Sequence, residues 1–155
     1  RVLGGDLNLS VFNAALKLKG FLAKSWSPDK IGDDYAGNAE LEFRKYNMQI
    51  EAAYLDVQNN FNPEIGFVPR DDIRQYKGQA RYRPRPGFKR IRQFSFGPRF
   101  RYVTDQNNRL QSSEIEASFF TNLEVGDWIG VRYQDRFERL DEPFEIHDDI
   151  EIPPG

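Results

Sequence analysis

The sequence predicts an all-β chain, an antiparallel up-and-down meander of about eight strands that forms part of a transmembrane β-barrel of the outer-membrane type. Three observations point there. Polar and apolar residues alternate in segment after segment, short and long connections succeed one another, and aromatic residues gather at the ends of the apolar faces. Alternation is the period of a strand, whose successive side chains point to opposite faces. No segment sustains a helical period.

The clearest alternation lies in residues 93–102. A strand there puts Phe94, Phe96, Pro98, Phe100 and Tyr102 on one face and Gln93, Ser95, Gly97, Arg99 and Arg101 on the other. Pro98 has no N–H to give a ladder, so irregularity is expected at that point. A soluble barrel hides its apolar face, whereas an outer-membrane barrel turns it to lipid.

In chain order, a first strand over 3–12 sets Leu7, Leu9 and Val11 against Asp6, Asn8 and Ser10, and a second over 16–24 sets Leu16, Leu18, Gly20 and Leu22 against Lys17 and Lys19. The third, over 34–44, opposes Tyr35, Gly37, Ala39, Leu41 and Phe43 to Asn38, Glu40, Glu42 and Arg44; the fourth opposes Ile50, Ala52 and Tyr54 to Gln49 and Glu51. The fifth, over 74–82, opposes Tyr76, Gly78, Ala80 and Tyr82 to Lys77, Gln79 and Arg81, and 93–102 is the sixth. The seventh opposes Ile115, Ala117 and Phe119 to Glu114, Glu116 and Ser118; the eighth, over 128–136, opposes Ile129, Val131 and Tyr133 to Arg132, Gln134 and Arg136. None of these apolar faces contains a charge.

The connections at 13–15, 45–47, 83–89 and 124–127 are short, while 25–33, 57–73 and the segment from 137 onward are long, with 104–109 the shortest of that second group. In a meander these two groups fall at opposite ends. Outer-membrane barrels have the same asymmetry, with short periplasmic turns and longer extracellular loops. Tyr35, Tyr54, Tyr76, Tyr102 and Tyr133 then form an aromatic girdle at the long-loop end of the lipid-facing surface, and Phe43, Tyr82 and Phe94 mark the other rim.

The opposite face suits a water-filled lumen, lined by Lys17, Lys19, Glu40, Glu42, Lys77, Arg81, Arg99, Arg101, Glu114, Glu116 and Arg132. Simple antiparallel pairing sets Lys17 and Lys19 beside Glu42 and Glu40, and Arg99 and Arg101 beside Glu114 and Glu116. In the loop over 57–73, the residues Phe61, Asn62, Pro63, Gly66, Phe67 and Pro69 describe a packed segment folded over the barrel mouth rather than a slack one.

Composition excludes several classes. With 155 residues, a net charge of −2 and mixed charge signs, the chain has one-domain length and no basic patch for nucleic acid. There is no cysteine, so disulfides and thiolate chemistry are out. The acidic residues Asp135, Glu138, Asp141, Glu142, Glu145, Asp148, Asp149 and Glu151 lack EF-hand spacing, and His147 is the only histidine; both read as loop surface, with no metal or other cofactor expected. Glu40 with Glu42, or Glu114 with Glu116, have a spacing open to glycoside hydrolysis, but alternating carboxylates are what any lumen wall supplies. No catalytic residue is assigned. The chain opens at Arg1 and ends in Pro153, Pro154 and Gly155, and reads as a single segment, 1–155, of a longer barrel domain.

The runs Arg1 to Asn8, Gly20 to Lys24, Tyr54 to Arg70, Ile91 to Pro98 and Phe137 to Glu145 resemble the bacterial family called domain of unknown function 5916. The resemblance implies an outer-membrane β-barrel in a Gram-negative bacterium, commonly preceded in the same polypeptide by a family-9-like carbohydrate-binding module. On that reading the chain anchors its parent in the bilayer and forms a polar channel for solute passage or export, with carbohydrate as a partner by association alone. Two alternatives stand beside it: a soluble lipocalin-like binder, which requires Phe94, Phe96 and Phe100 to be buried, and a carbohydrate-active enzyme using the lumen carboxylates.

Overall fold

A computed structural model of the chain describes residues 1–28, 32–63 and 70–140, with the backbones of two short strands at 144–147 and 150–152. The strands are β1 (Val2–Val11), β2 (Leu16–Ser25), β3 (Tyr35–Lys45), β4 (Met48–Val57), β5 (Ile73–Tyr82), β6 (Ile91–Phe96), β7 (Arg99–Thr104), β8 (Leu110–Leu123), β9 (Trp128–Glu138), β10 (Phe144–His147) and β11 (Ile150–Ile152). There is no helix among the described residues. The first nine form one antiparallel sheet in chain order, with β6 and β7 sharing one position between β5 and β8, and β10 and β11 make a separate two-stranded sheet. The alternating pattern therefore folds as an up-and-down meander.

Two expectations need correction. The strand expected over 93–102 is broken into β6 and β7, so the sheet has nine strands rather than eight. The break changes no register: Tyr82 faces Phe96 and Gln79 faces Arg99 on one side, while Phe96 faces Phe119 and Arg99 faces Glu116 on the other. Pro98 is the cause, since it has no donor for the Ala80 carbonyl of β5, and the ladder survives through what remains. The Ala80 N–H donates to the Pro98 carbonyl at 3.0 Å, and the Gly97 N–H to the Ser118 carbonyl at 2.9 Å. The second correction concerns the segment from 137 onward, where β9 continues to Glu138 and the β10–β11 pair follows in place of an irregular loop.

Local chemistry explains the turns. Gly126 closes the β8–β9 connection at φ 98°, a left-handed conformation glycine takes without strain, with the Leu123 N–H donating to the Asp127 carbonyl at 2.8 Å. Between β7 and β8, the Asp105 carboxylate accepts the Asn107 and Arg109 N–H groups at 2.9 and 2.8 Å, a side-chain-stabilised turn that makes this long-end connection compact.

The sheet is open. β1 pairs only with β2 and β9 only with β8, and every residue of both edge strands is exposed. Among the described residues the buried apolar side chains are Ala36, Val57, Ile73 and Val103, with Leu55 and Phe61 packed against them. These belong to the polar face, at the long-loop end, which leaves the face of Leu7, Ile50, Phe100 and Val131 with no layer over it.

Candidate functional site

Cross-strand partners share a face, so the registers assign both surfaces of the sheet. One row of the polar face runs Lys19, Glu40, Ala53, Lys77, Arg101, Glu114, Arg136, and the next runs Lys17, Glu42, Glu51, Gln79, Arg99, Glu116, Gln134. Lys17 and Lys19 on β2 and Glu114 on β8 line one groove of about 460 Å³ together with Glu40, Glu42 and Arg101. On a flat sheet those strands would stand about 24 Å apart. The sheet is therefore curled, with the charged face inside the bend.

Among the described residues, the carboxylates of this trough are held by two or more donors each, except Glu40, which has one. Glu116 takes Arg99 at 2.7 Å and Arg132 at 3.7 Å, and Glu114 takes Arg136 at 3.4 Å and Arg99 at 3.5 Å. Gln134 adds a hydrogen bond to Glu114 at 2.9 Å. Across the trough Glu42 meets Arg44 at 2.8 Å and Lys17 at 3.9 Å, Asn38 donates to Glu40 at 3.2 Å, and the amides of Gln49 and Gln79 both donate to Glu51. The sequence-predicted wall residues Lys17, Lys19, Glu40, Glu42, Lys77, Arg99, Arg101 and Glu114 are brought together in this groove. Arg81 and Arg132 line an adjoining hollow of about 210 Å³ toward the short turns, with Glu116. Glu51, Gln79 and Arg136 complete the network; their place in the same alternation was the available signal.

At its long-loop end the polar face carries an apolar cluster. Phe61 lies on the Val57, Ile73 and Val103 cluster, and the Asn62 N–H donates to the buried Ser25 hydroxyl at 3.0 Å, so the start of the long loop turns inward over the polar face. Pro63 is half-buried beside them, while Gly66, Phe67 and Pro69 lie outside the described residues. Gln106, in the β7–β8 turn, donates to Asp56 at 2.7 Å and to the carbonyls of Val57 and Ile73 at 3.3 and 3.4 Å. No sequence pattern marks Gln106, because its reach depends on where the turn lands.

The other face is apolar and open. Phe96 and Phe100 are 41 % and 48 % exposed, against the burial that a closed ligand cavity requires. Tyr54, Tyr76 and Tyr102 share one register row, with ring centroids 5.0 and 6.4 Å apart. Tyr35 lies four residues beyond that row toward the long loops, and Tyr133 four residues short of it. The next residue of the same face beyond Tyr54, Tyr76 and Tyr133 is charged in each case: Asp56, Arg74 and Asp135. At the end of β2, Lys24 donates to the Tyr35 hydroxyl at 3.2 Å and stands 4.6 Å over its ring.

Among the described residues no group of three or more His, Cys, Asp or Glu is placed to hold a metal ion. The side chains of Glu145, His147 and Glu151, and residues Asp141, Glu142, Asp148 and Asp149, lie outside that description. Comparison with protein-family models, curated proteins and solved structures returns no match.

Proposed function

We propose that this chain is a wall of an outer-membrane β-barrel that anchors its parent protein in the bilayer and lines a polar passage for solutes. The observation that carries the reading is the exposed apolar band. In β4, β5 and β9 uncharged side chains face outward until a tyrosine is reached, and the next residue of that face is charged. A hydrocarbon layer bounded by an interfacial girdle produces this pattern. The oblique course of the five tyrosines fits as well. Their drift is about 26 Å along the strands over about 24 Å of sheet, the obliquity expected of a level belt crossing strands that tilt by about 35–45°.

The charged face answers to a lumen. Most of its carboxylates are held by two or more Arg, Lys or amide donors, which suits wall residues holding shape in water better than an acid–base pair poised for chemistry. The two free edges ask for further strands, as a barrel would provide. The likeness to the domain of unknown function 5916 family points the same way, and a carbohydrate-linked role enters only through it. The open exposure of Phe96 and Phe100 weighs against a soluble ligand carrier.

Cell fractionation of the full-length protein tests the reading. The expected result is recovery in detergent-extracted outer membrane with heat-modifiable migration on a gel. A protein that stays in the aqueous fraction without detergent overturns it.

A further inference from the structure

We infer that the floor of the trough is a binding site for an oxyanion-bearing solute, centred on Lys77 and Arg101; the inference deepens the passage reading and rests on it. Lys77 on β5 and Arg101 on β7 are register partners on the polar face, and both line the groove. Like charges directly opposite on neighbouring strands destabilise a sheet. Among the described residues neither has a carboxylate within 4.0 Å.

The surroundings explain why this repulsion is not relieved from within. The other neighbour of Lys77 in its row is Ala53, which offers no acceptor. The other neighbour of Arg101 is Glu114, whose carboxylate is already shared by Arg99, Gln134 and Arg136. Glu51, one row away, is occupied by Gln49 and Gln79. Lys19, across the trough, likewise has no carboxylate within 4.0 Å among the described residues. Formal charges in the groove nearly balance, yet apart from Glu40, to which Asn38 alone donates among the described residues, the acids have two or more donors each, while these cations keep N–H groups to spare. A cation entering would find spare acceptors at Glu40 only. A carboxylate, sulfate or phosphate group finds an Arg fork and a Lys point charge side by side, and the repulsion between them is cancelled when it binds.

Titration calorimetry on the full-length protein folded in detergent tests this, using sodium sulfate at constant ionic strength. The wild type is expected to give a saturable heat. Lys77→Gln with Arg101→Gln is expected to weaken binding at least tenfold, whereas Arg85→Gln, outside the groove, leaves it unchanged. Sodium acetate in a parallel arm separates a planar carboxylate ligand from a tetrahedral one, and loss of either heat in the double variant supports the site. Because the double variant removes a like-charge pair, its unfolding midpoint is expected to equal or exceed that of the wild type. Absence of a saturable wild-type heat with both salts, equal affinity in the double variant, or a lowered midpoint showing the pair to be structural overturns the inference. If fractionation finds the protein soluble, the titration runs without detergent and the same outcomes decide, so the two readings fail separately.

Discussion

Ala52 and Ala53 are consecutive in β4, yet they belong to different worlds. Ala52 sits on the face of Ile50 and Tyr54, across from Gly78; Ala53 sits on the face of Glu51, between Glu40 and Lys77. Every strand repeats the contrast, and the two faces bury their contents in opposite senses. Within the inner strand β8, Glu114 and Glu116 are the sheltered ones, at 19 % and 14 % side-chain exposure, while Ile115 between them is more than half exposed. A sheet in water has no means of holding that arrangement, because an uncovered apolar face of this extent drives association. On the reading proposed above, that face meets lipid, and the contrast between the two faces is what the reading has to survive.

The sharpest way to break the comparison is to place the same charge on both sides of it. Ala52→Arg is expected to cost about 2–4 kcal/mol if that face meets the middle of a bilayer, whereas Ala53→Arg, entering a wet groove, is expected to cost less than about 1 kcal/mol. Denaturant unfolding of the full-length protein from lipid vesicles measures both. Equal costs would remove the distinction between the faces. A smaller effect tests how closely the apolar face is packed. A Cβ built on Gly78 collides with the ring of its cross-strand partner Phe100, so Gly78→Ala is expected to cost about 1–3 kcal/mol by overpacking. In a Phe100→Ala background most of that cost should vanish, and a double-mutant cycle with no coupling would mean that the ring does not lie over the glycine.

The sequence carried the strands and their faces because alternation is local, and a residue's face follows from its parity alone. The same parity reached the pair of Lys17 opposite Glu42, which follows from the turn length once the meander is assumed; on β7 and β8 it brought the same four charges together but set Arg99 beside Glu114, whereas the register places it opposite Glu116. What it missed depends on events away from the strand. Pro98 interrupts the ladder without shifting it, an outcome that rests on Ala80 and Gly97 finding partners on either side. The tyrosines were expected at one level, and the register spreads them obliquely, since sequence distance from a turn ignores the stagger between strands. Ala36, Val57, Ile73 and Val103 are apolar residues at polar-face parity; alternation treats them as exceptions, and only the infolded loop with Phe61 gives them a reason.

That infolded end supplies a third test, on the polar face where it is driest. Gln106→Ala removes donors from Asp56 and from the Val57 and Ile73 carbonyls, and is expected to cost about 1–2 kcal/mol. Amide exchange should quicken around Val57 and Ile73 before it changes at the short-turn end. Uniform acceleration along β4 and β5 would show that the loop end is not a separate unit of stability.

The smallest effect expected lies on the open part of the trough. Lys17 approaches Glu42 at 3.9 Å and keeps 40 % of its side chain exposed, and Arg44 holds the same carboxylate at 2.8 Å. Lys17→Met therefore leaves Glu42 paired and is expected to cost about 0–1 kcal/mol. About 1 M salt, which shortens the screening length to about 3 Å, should erase even that. A measured cost above about 2 kcal/mol that persists in salt would mean that Lys17 sits in a drier place than an open groove. In the proposed barrel, closing strands would then press on this wall, and the proposed passage would be narrow where β2 faces them.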